Sequence, residues 1–255
     1  MKNIEWADIT INPVVGCKRG CPYCYARKMN DRFHFVEDFT NPELFIERLE
    51  KLNHVKNKKI FMNSMSDIKY WDAETIRTVA KYIEKNPSNK YYFLSKDPLA
   101  FINMIQTASR ICPSLGHIYE RDNVFGATTI TRQDEFYDYV TMVYKNRVLN
   151  IEPILERIDL SCIKEPVYTL DNYGQRTCKK TVKSFEFSHN IWLKHIDLII
   201  LGAETGNRKN KVIPKKEWIE DIIDFCKKYN IELFLKENIK KYLNKETVID
   251  YAKIN

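Results

Sequence analysis

Glycine is scarce in this chain, at 7 of 255 residues. A chain so poor in the residue that most freely adopts positive φ is expected to keep it where backbone geometry demands it. Gly- and Pro-rich linkers, internal repeats and low-complexity tracts are missing as well, so no obvious boundary splits the sequence. No apolar run approaches 18 residues, which excludes a membrane-spanning helix. The opening MKNIEWADIT has no basic-then-apolar signal region, and the chain is expected to reside in the reducing cytoplasm, where disulfides are rare. Its seven cysteines therefore need another reason.

What the sequence does contain is material for one large core. Apolar residues make up 44% and charged residues 29%, consistent with a single α/β domain over residues 1–255. The net charge of +7 could advertise a phosphate-bearing partner. Lysine outnumbers arginine more than twofold, however, and ordinary solubility accounts for that pattern equally well.

Short β-branched or aromatic runs alternate with longer segments of helical periodicity. Strands are predicted near 8–12, 59–63, 91–95, 124–129, 147–151, 197–202 and 231–235, with helices over 23–32, 42–53, 73–86, 98–108, 132–144, 215–229 and 238–252. Asn41-Pro42 and Asp97-Pro98 read as helix N-caps before a first-turn proline. Such alternation implies a parallel sheet with helices outside, either open and doubly wound or a partial or complete β/α barrel of six or seven strands. Both place function at the carboxyl ends of the strands. Those ends carry polar groups at almost every position: Asn63-Ser64, Ser95-Lys96, Thr128-Thr129, Glu152-Pro153, Gly202-Ala203-Glu204 and Lys236. One stretch, from about 155 to 195, is too long for a simple crossover and reads as an insertion with a hairpin around Gly174.

Immediately after the first strand, GCKRGCPYCY sets Cys17, Cys21 and Cys24 in C-x3-C-x2-C spacing. Three thiolates on one loop can converge on an iron-sulfur cluster or a metal, with Gly16 and Gly20 letting the backbone wrap closely. A four-iron cluster held by three cysteines leaves one iron without a protein ligand and open to chemistry. The alternative is zinc, with His34 completing a Cys3His set and the protein serving as a zinc-stabilised, non-catalytic nucleic-acid-binding module.

The segment Cys17-Lys-Arg-Gly-Cys21-Pro-Tyr23-Cys24 resembles the signature of the radical SAM superfamily. The resemblance implies a partial or complete parallel β/α barrel and a [4Fe-4S] cluster on Cys17, Cys21 and Cys24. It further implies that S-adenosylmethionine chelates the fourth iron, and that reductive cleavage gives a 5'-deoxyadenosyl radical able to abstract hydrogen from a substrate. Electrons for such an enzyme come from a donor such as flavodoxin or ferredoxin. A largely phage-associated branch of that superfamily is similar over most of the chain: Trp6, Asn12-Pro13, Asn63-Ser64-Met65-Ser66-Asp67, Leu94-Ser95-Lys96, Ile151-Glu152-Pro153, Gly202-Ala203-Glu204-Thr205-Gly206 and Phe234-Leu235-Lys236.

The resemblance also suggests roles. Tyr23 would lie against adenine. A Gly-Gly-Glu turn is usual after the second strand for the methionine ammonium, and this chain departs from it, offering Asn63, Ser64, Ser66 and Asp67, of which Ser66 and Asp67 read equally well as helix caps. Thr128 and Thr129 are candidates for ribose or the methionine carboxylate, with Ser95 and Lys96 as alternatives for the carboxylate. Gly202 and Glu204 are candidates for close ligand approach and for hydroxyls. Glu152 and Lys236 face the mouth of the barrel, either as catalytic groups or as an internal ion pair. Arg208, Lys209 and Lys211, with Lys179, Lys180 and Lys183 from the insertion, could form a basic rim for a nucleic acid, whereas Cys112, Cys162, Cys178 and Cys226 read as unligated thiols. The substrate expected first is a nucleic acid or nucleotide, and second a peptide or small metabolite.

Overall fold

The computed structural model describes residues 4–136, 146–161, 167–170, 176–179 and 196–244, with 167–170 and 176–179 described by their backbone. In chain order its elements are β1 (Ile9–Thr10), β2 (Val14–Val15), α1 (Tyr25–Phe33), β3 (Glu43–Leu44) and α2 (Ile46–Leu49), which runs into a 3-10 turn at Glu50–His54. Next come β4 (Lys59–Phe61), a 3-10 turn at Ile68–Tyr70, α3 (Ala73–Lys85), β5 (Lys90–Ser95), α4 (Ala100–Ile111), α5 (Pro113–Tyr119) and β6 (Val124–Ile130). The rest comprises β7 (Asn146–Ile151), β8 (Val167–Leu170), β9 (Arg176–Lys179), β10 (Leu198–Leu201), α6 (Lys216–Tyr229), β11 (Glu232–Leu235) and α7 (Glu237–Lys240).

Seven strands form one sheet in the order β1-β4-β5-β6-β7-β10-β11, every neighbouring pair parallel. All seven are the strands expected from the sequence. The sheet curls into a half-barrel, and its edge strands β1 and β11 do not pair, so of the two expected forms the partial one is found. The hairpin expected in the insertion is present as antiparallel β8 and β9, its turn lying outside the described residues.

Alternation along the strands makes two cores. Facing outward, Ile60, Met62, Tyr91 and Phe93 pack under α3 and α4, while Leu149, Ile151, Ile199 and Leu201 pack under α6. Helix α3 shows why: Asp72 caps it by accepting from the Thr75 amide, and Ile76, Val79, Ala80 and Ile83 are buried at helical spacing. Phe93 is 0% exposed, and truncating such a side chain to alanine costs about 3–5 kcal/mol. Facing inward, Trp6, Phe61, Tyr92, Phe125, Val148, Leu198 and Ile200 fill the barrel floor.

The same alternation continues past the strand ends with a change of chemistry. Phe61 is followed inward by Asn63, Val148 by Asn150 and Glu152, and Phe234 by Lys236. The interior is thus apolar at the amino end of the strands and polar at the carboxyl end.

Local differences from the expected elements have physical causes. The helix expected from Pro42 starts only at Ile46, because Glu43 and Leu44 pair with Val15 and Val14 and the Phe45 amide donates to the Pro13 carbonyl at 2.7 Å. Asp97 sits one turn ahead of α4, its carboxylate accepting from the Leu99 amide at 2.9 Å. Helix α5, opened by Pro113 at its first turn, was not expected. The helices expected over 132–144 and 238–252 lie largely outside the described residues.

Candidate active site

The cysteine loop is pinned before it turns. The Gly16 amide donates to the Met65 carbonyl at 3.0 Å and the Cys17 amide to the Phe39 carbonyl at 2.7 Å. Gly16 has φ +116°, and a Cβ there would stand 2.8 Å from the Pro42 Cα, so glycine is required on both conformational and steric grounds. Cys24 then caps α1, its sulfur accepting from the Arg27 amide at 3.4 Å.

Cys17, Cys21 and Cys24 all line one cavity of about 880 Å³ at the carboxyl ends of the strands, together with Tyr23, Asn63, Ser64, Ser66, Asp67, Ser95, Lys96, Thr129, Glu152, Glu204 and Lys236. Most of the expected site residues therefore meet in one place. Burial pushes the Cys17 thiol up to about 11 against a backbone hydrogen bond at Arg19 that lowers it, and Asp67 and the other two cysteines add to the rise. The Cys21 thiol is raised by burial too, with Lys96 pulling it back. Among the described residues, no group of three or more His, Cys, Asp or Glu side chains is arranged to hold a single metal ion. His34 is exposed at the C-terminal end of α1, while Cys24 caps its N-terminus; nine helical residues put about 13 Å between the two ends. A Cys3His set is not assembled by this arrangement.

The ends of β4 and β5 are knitted together. Asn63 donates to the Leu94 carbonyl at 2.6 Å and accepts from the Leu94 amide at 2.9 Å, standing in for a strand ladder. Asp67 accepts from Ser95 Oγ at 2.5 Å, from the Lys96 amide at 3.1 Å and from the Lys69 amide at 3.0 Å, and Arg19 lies 3.9 Å away. Ser64 Oγ donates to Asn12 Oδ1 at 2.9 Å, and Ser66 Oγ accepts from Trp71 Nε1 at 3.0 Å. The capping reading holds for Asp67, and Asn63, Ser64 and Ser66 are likewise committed to the framework. One cation here is not so committed: Lys96 Nζ is buried without a hydrogen-bond partner and stands 5.2 Å from the centre of the Tyr23 ring, whereas Arg19 Nε, also without a hydrogen bond, is ion-paired with Asp67. A buried, unmatched ammonium marks a place for an anionic group.

On the opposite wall Lys236 Nζ donates to Glu152 Oε1 at 2.5 Å, so the ion pair considered as one option from sequence is present. Gly202 does not line the cavity. It makes room for this pair, since a Cβ would lie 3.0 Å from the Cδ atoms of both Glu152 and Lys236. Thr129 lines the cavity, whereas Thr128, one residue earlier on β6, does not. Glu204 is 4% exposed and held by Arg208 through bonds of 2.7 and 2.8 Å, with the Val212 amide at 3.3 Å. Arg208 beside it holds the Glu204 carboxyl below the usual carboxylate range, against burial.

Only part of the expected basic rim lies within the described residues. Arg208 is committed to Glu204, Lys211 Nζ donates to the Gly206 carbonyl at 3.3 Å, and Lys209 is exposed. Lys180 and Lys183 lie outside the described residues, as does Cys162, and Lys179 and Cys178 are described by backbone alone. Cys112 is exposed at the start of α5 and Cys226 is on the buried face of α6, both away from the loop.

Asn12, noted in the sequence without a role, positions Ser64 and the Met65 amide; sequence reading missed Asn150, whose Nδ2 lies 3.1 Å from Thr129 Oγ1, and Asn238, which holds both backbone groups of Ala203. The available signal was Asn150 two residues before Glu152, on the same strand face. No curated protein matches the chain. A family model described as "Protein of unknown function (DUF5131)" matches residues 1–248, and the chain belongs to that family.

Proposed function

We propose that this protein is a radical SAM enzyme, with Cys17, Cys21 and Cys24 holding a [4Fe-4S] cluster and S-adenosylmethionine beside it. The observation that carries the reading is the sharing of one cavity wall by three thiols and the buried, unpartnered Lys96 ammonium. The donor set fits the group: three sulfur ligands suit iron, and the cationic Lys96 and Arg19 suit a cofactor carboxylate next to thiolate ligands. When bound and reduced, this cofactor pair supplies a one-electron cleavage that ends in hydrogen abstraction from a substrate.

The chain's own residues bind, orient and exclude water. Each raised thiol must give up its proton to become a ligand. Asp67 fixes the backbone at Lys96, Tyr23 covers the Lys96 ammonium, and the aromatic floor around Trp6 keeps solvent from below. Substrate would enter beside Glu152 and Lys236; a nucleic acid or nucleotide is the substrate proposed, ahead of a peptide or small metabolite. Electrons would come from a flavodoxin or ferredoxin.

Protein purified without oxygen should be brown, contain about four irons per chain and release 5'-deoxyadenosine from S-adenosylmethionine after reduction. Colourless protein holding one zinc and cleaving nothing would overturn the reading in favour of a zinc-stabilised binding module.

A further inference from the structure

One wall of the cavity carries polar capacity that the cysteine loop does not use. Asn150 is 4% exposed and lines the cavity, and Thr129 Oγ1, 3.1 Å away, satisfies only one end of its carboxamide. The other end, Oδ1, is buried with no partner. One inward step further along the same strand direction, about 6.6 Å on, Glu152 spends one carboxylate oxygen on Lys236 and has a second to offer. Lys236 retains further ammonium protons for a ligand. The pair is only partly buried, so its outer face remains open to the cavity, and Gly202 leaves the space it occupies.

Register fixes the order of these groups. Ile151, Leu201 and Leu235 are aligned across β7, β10 and β11, so Glu152, Gly202 and Lys236 stand at one level with Asn150 below Glu152. The sequence of partners is carboxamide, carboxylate, ammonium, with the acceptor-only carboxylate in the middle. A matching ligand edge must carry a donor at its centre and an acceptor on the Lys236 side. Because the free end of Asn150 is the acceptor Oδ1, the position facing it must also be a donor; guanine meets all three needs with N2–H, N1–H and O6, whereas uracil and thymine set the acceptor O2 against Oδ1. Cytosine has an acceptor at its centre, and adenine offers only two groups in that line.

We propose that Asn150, Glu152 and Lys236 form a nucleobase subsite that reads the lactam edge of guanine, with Trp6 and Phe61 below as an apolar base. The proposal rests on the radical SAM reading only for the fate of the base, not for its binding. It is distinct from the adenosyl portion of the cofactor, because adenine does not match the array.

The test is calorimetric titration of the full chain, metal-free and after anaerobic loading with cluster and S-adenosylmethionine, against guanosine, uridine, adenosine, cytidine and glycine. Guanosine should bind at least about tenfold tighter than uridine, adenosine and cytidine in one or both forms, and Glu152→Gln and Asn150→Ala should each lower that affinity about tenfold or more. Six-residue guanine and uracil strands separate a base carried in nucleic acid from a free nucleoside; tighter binding of either source with the same base preference supports the subsite. Absence of binding in both forms, equal binding of all four bases, or preference for glycine overturns it. Base-selective binding by a protein that takes up no iron would sink the enzyme reading and leave this subsite standing, while iron uptake and cofactor cleavage without base selectivity would do the reverse.

Discussion

Asp67, which caps the 3-10 turn after β4, and Ser95, the last residue of β5, are joined by a hydrogen bond of 2.5 Å, and both are buried. Asp67 also receives two backbone amides, Lys69 and Lys96, so its loss strands several donors at once, whereas Ser95→Ala removes one hydroxyl. Asp67→Ala should cost about 3 kcal/mol and Ser95→Ala about 1 kcal/mol. For a chain of this size that is a fall in Tm of roughly 6–12 °C against 2–4 °C, read by thermal denaturation of the metal-free protein.

Lys96 invites the opposite sign. Its ammonium is buried without a hydrogen-bond acceptor and lies over the Tyr23 ring, which methionine can also cover, so Lys96→Met should leave the metal-free protein as stable as the parent or about 1 kcal/mol more stable. The same change should weaken S-adenosylmethionine binding about tenfold or more in the loaded protein. Calorimetry on both forms checks it, and unchanged cofactor affinity would remove Lys96 from the site.

The two loop glycines should separate cleanly. Gly16→Ala meets a backbone at 2.8 Å as well as φ +116° and should cost about 3 kcal/mol or more, whereas Gly20→Ala, at φ +72° with open space around it, should cost about 1 kcal/mol. Iron content after reconstitution should fall in the first variant and persist in the second.

Glu204 gives a pH dependence. Its folded pKa is lowered, chiefly by Arg208, so its contribution is present above the unfolded carboxylate range, near 4.3, and is lost as pH falls through the folded value. Denaturation midpoints from pH 7 down to 3 should fall more steeply for the parent than for Glu204→Gln. Arg208→Glu, which sets a second carboxylate against Glu204, should lower the denaturation midpoint at pH 7, and Lys209→Glu should stay within about 0.5 kcal/mol. Reversing Arg208 would therefore report on folding and not on nucleic-acid contact; the double change Lys209→Glu, Lys211→Glu is the cleaner probe, and an unchanged salt slope of RNA or DNA binding would discount that rim.

The seven strands were legible because most are short runs of apolar, β-branched or aromatic residues, the central ones buried on both faces, a signal carried by local sequence. Segments whose form depends on a distant partner were not. Pro42 looked like the start of a helix because the pairing of Glu43 and Leu44 with β2 leaves no local mark. The cysteine loop and the polar strand ends were readable as a group; what each polar residue does was not. Asn63 and Asp67 have side chains suited to ligand or to framework, and only their bonds to Leu94, Ser95 and Lys96 decide for the framework. Thr128 and Thr129 differ by one step of strand alternation, which a boundary uncertain by one residue cannot resolve.

The Glu237 amide donates to the Glu5 carboxylate at 2.7 Å, joining the segment before β1 to the residue after β11. Strands in the sheet pair with predecessors in sequential order, so its ladder can be built progressively from comparatively local contacts. The Glu5 contact spans 232 positions and has to wait for the final strand. Assembly therefore finishes where the ligands are expected to bind: a folding chain can complete most of its sheet before Lys236 meets Glu152 and the cavity gains its second wall, which ties binding competence to the last step of folding.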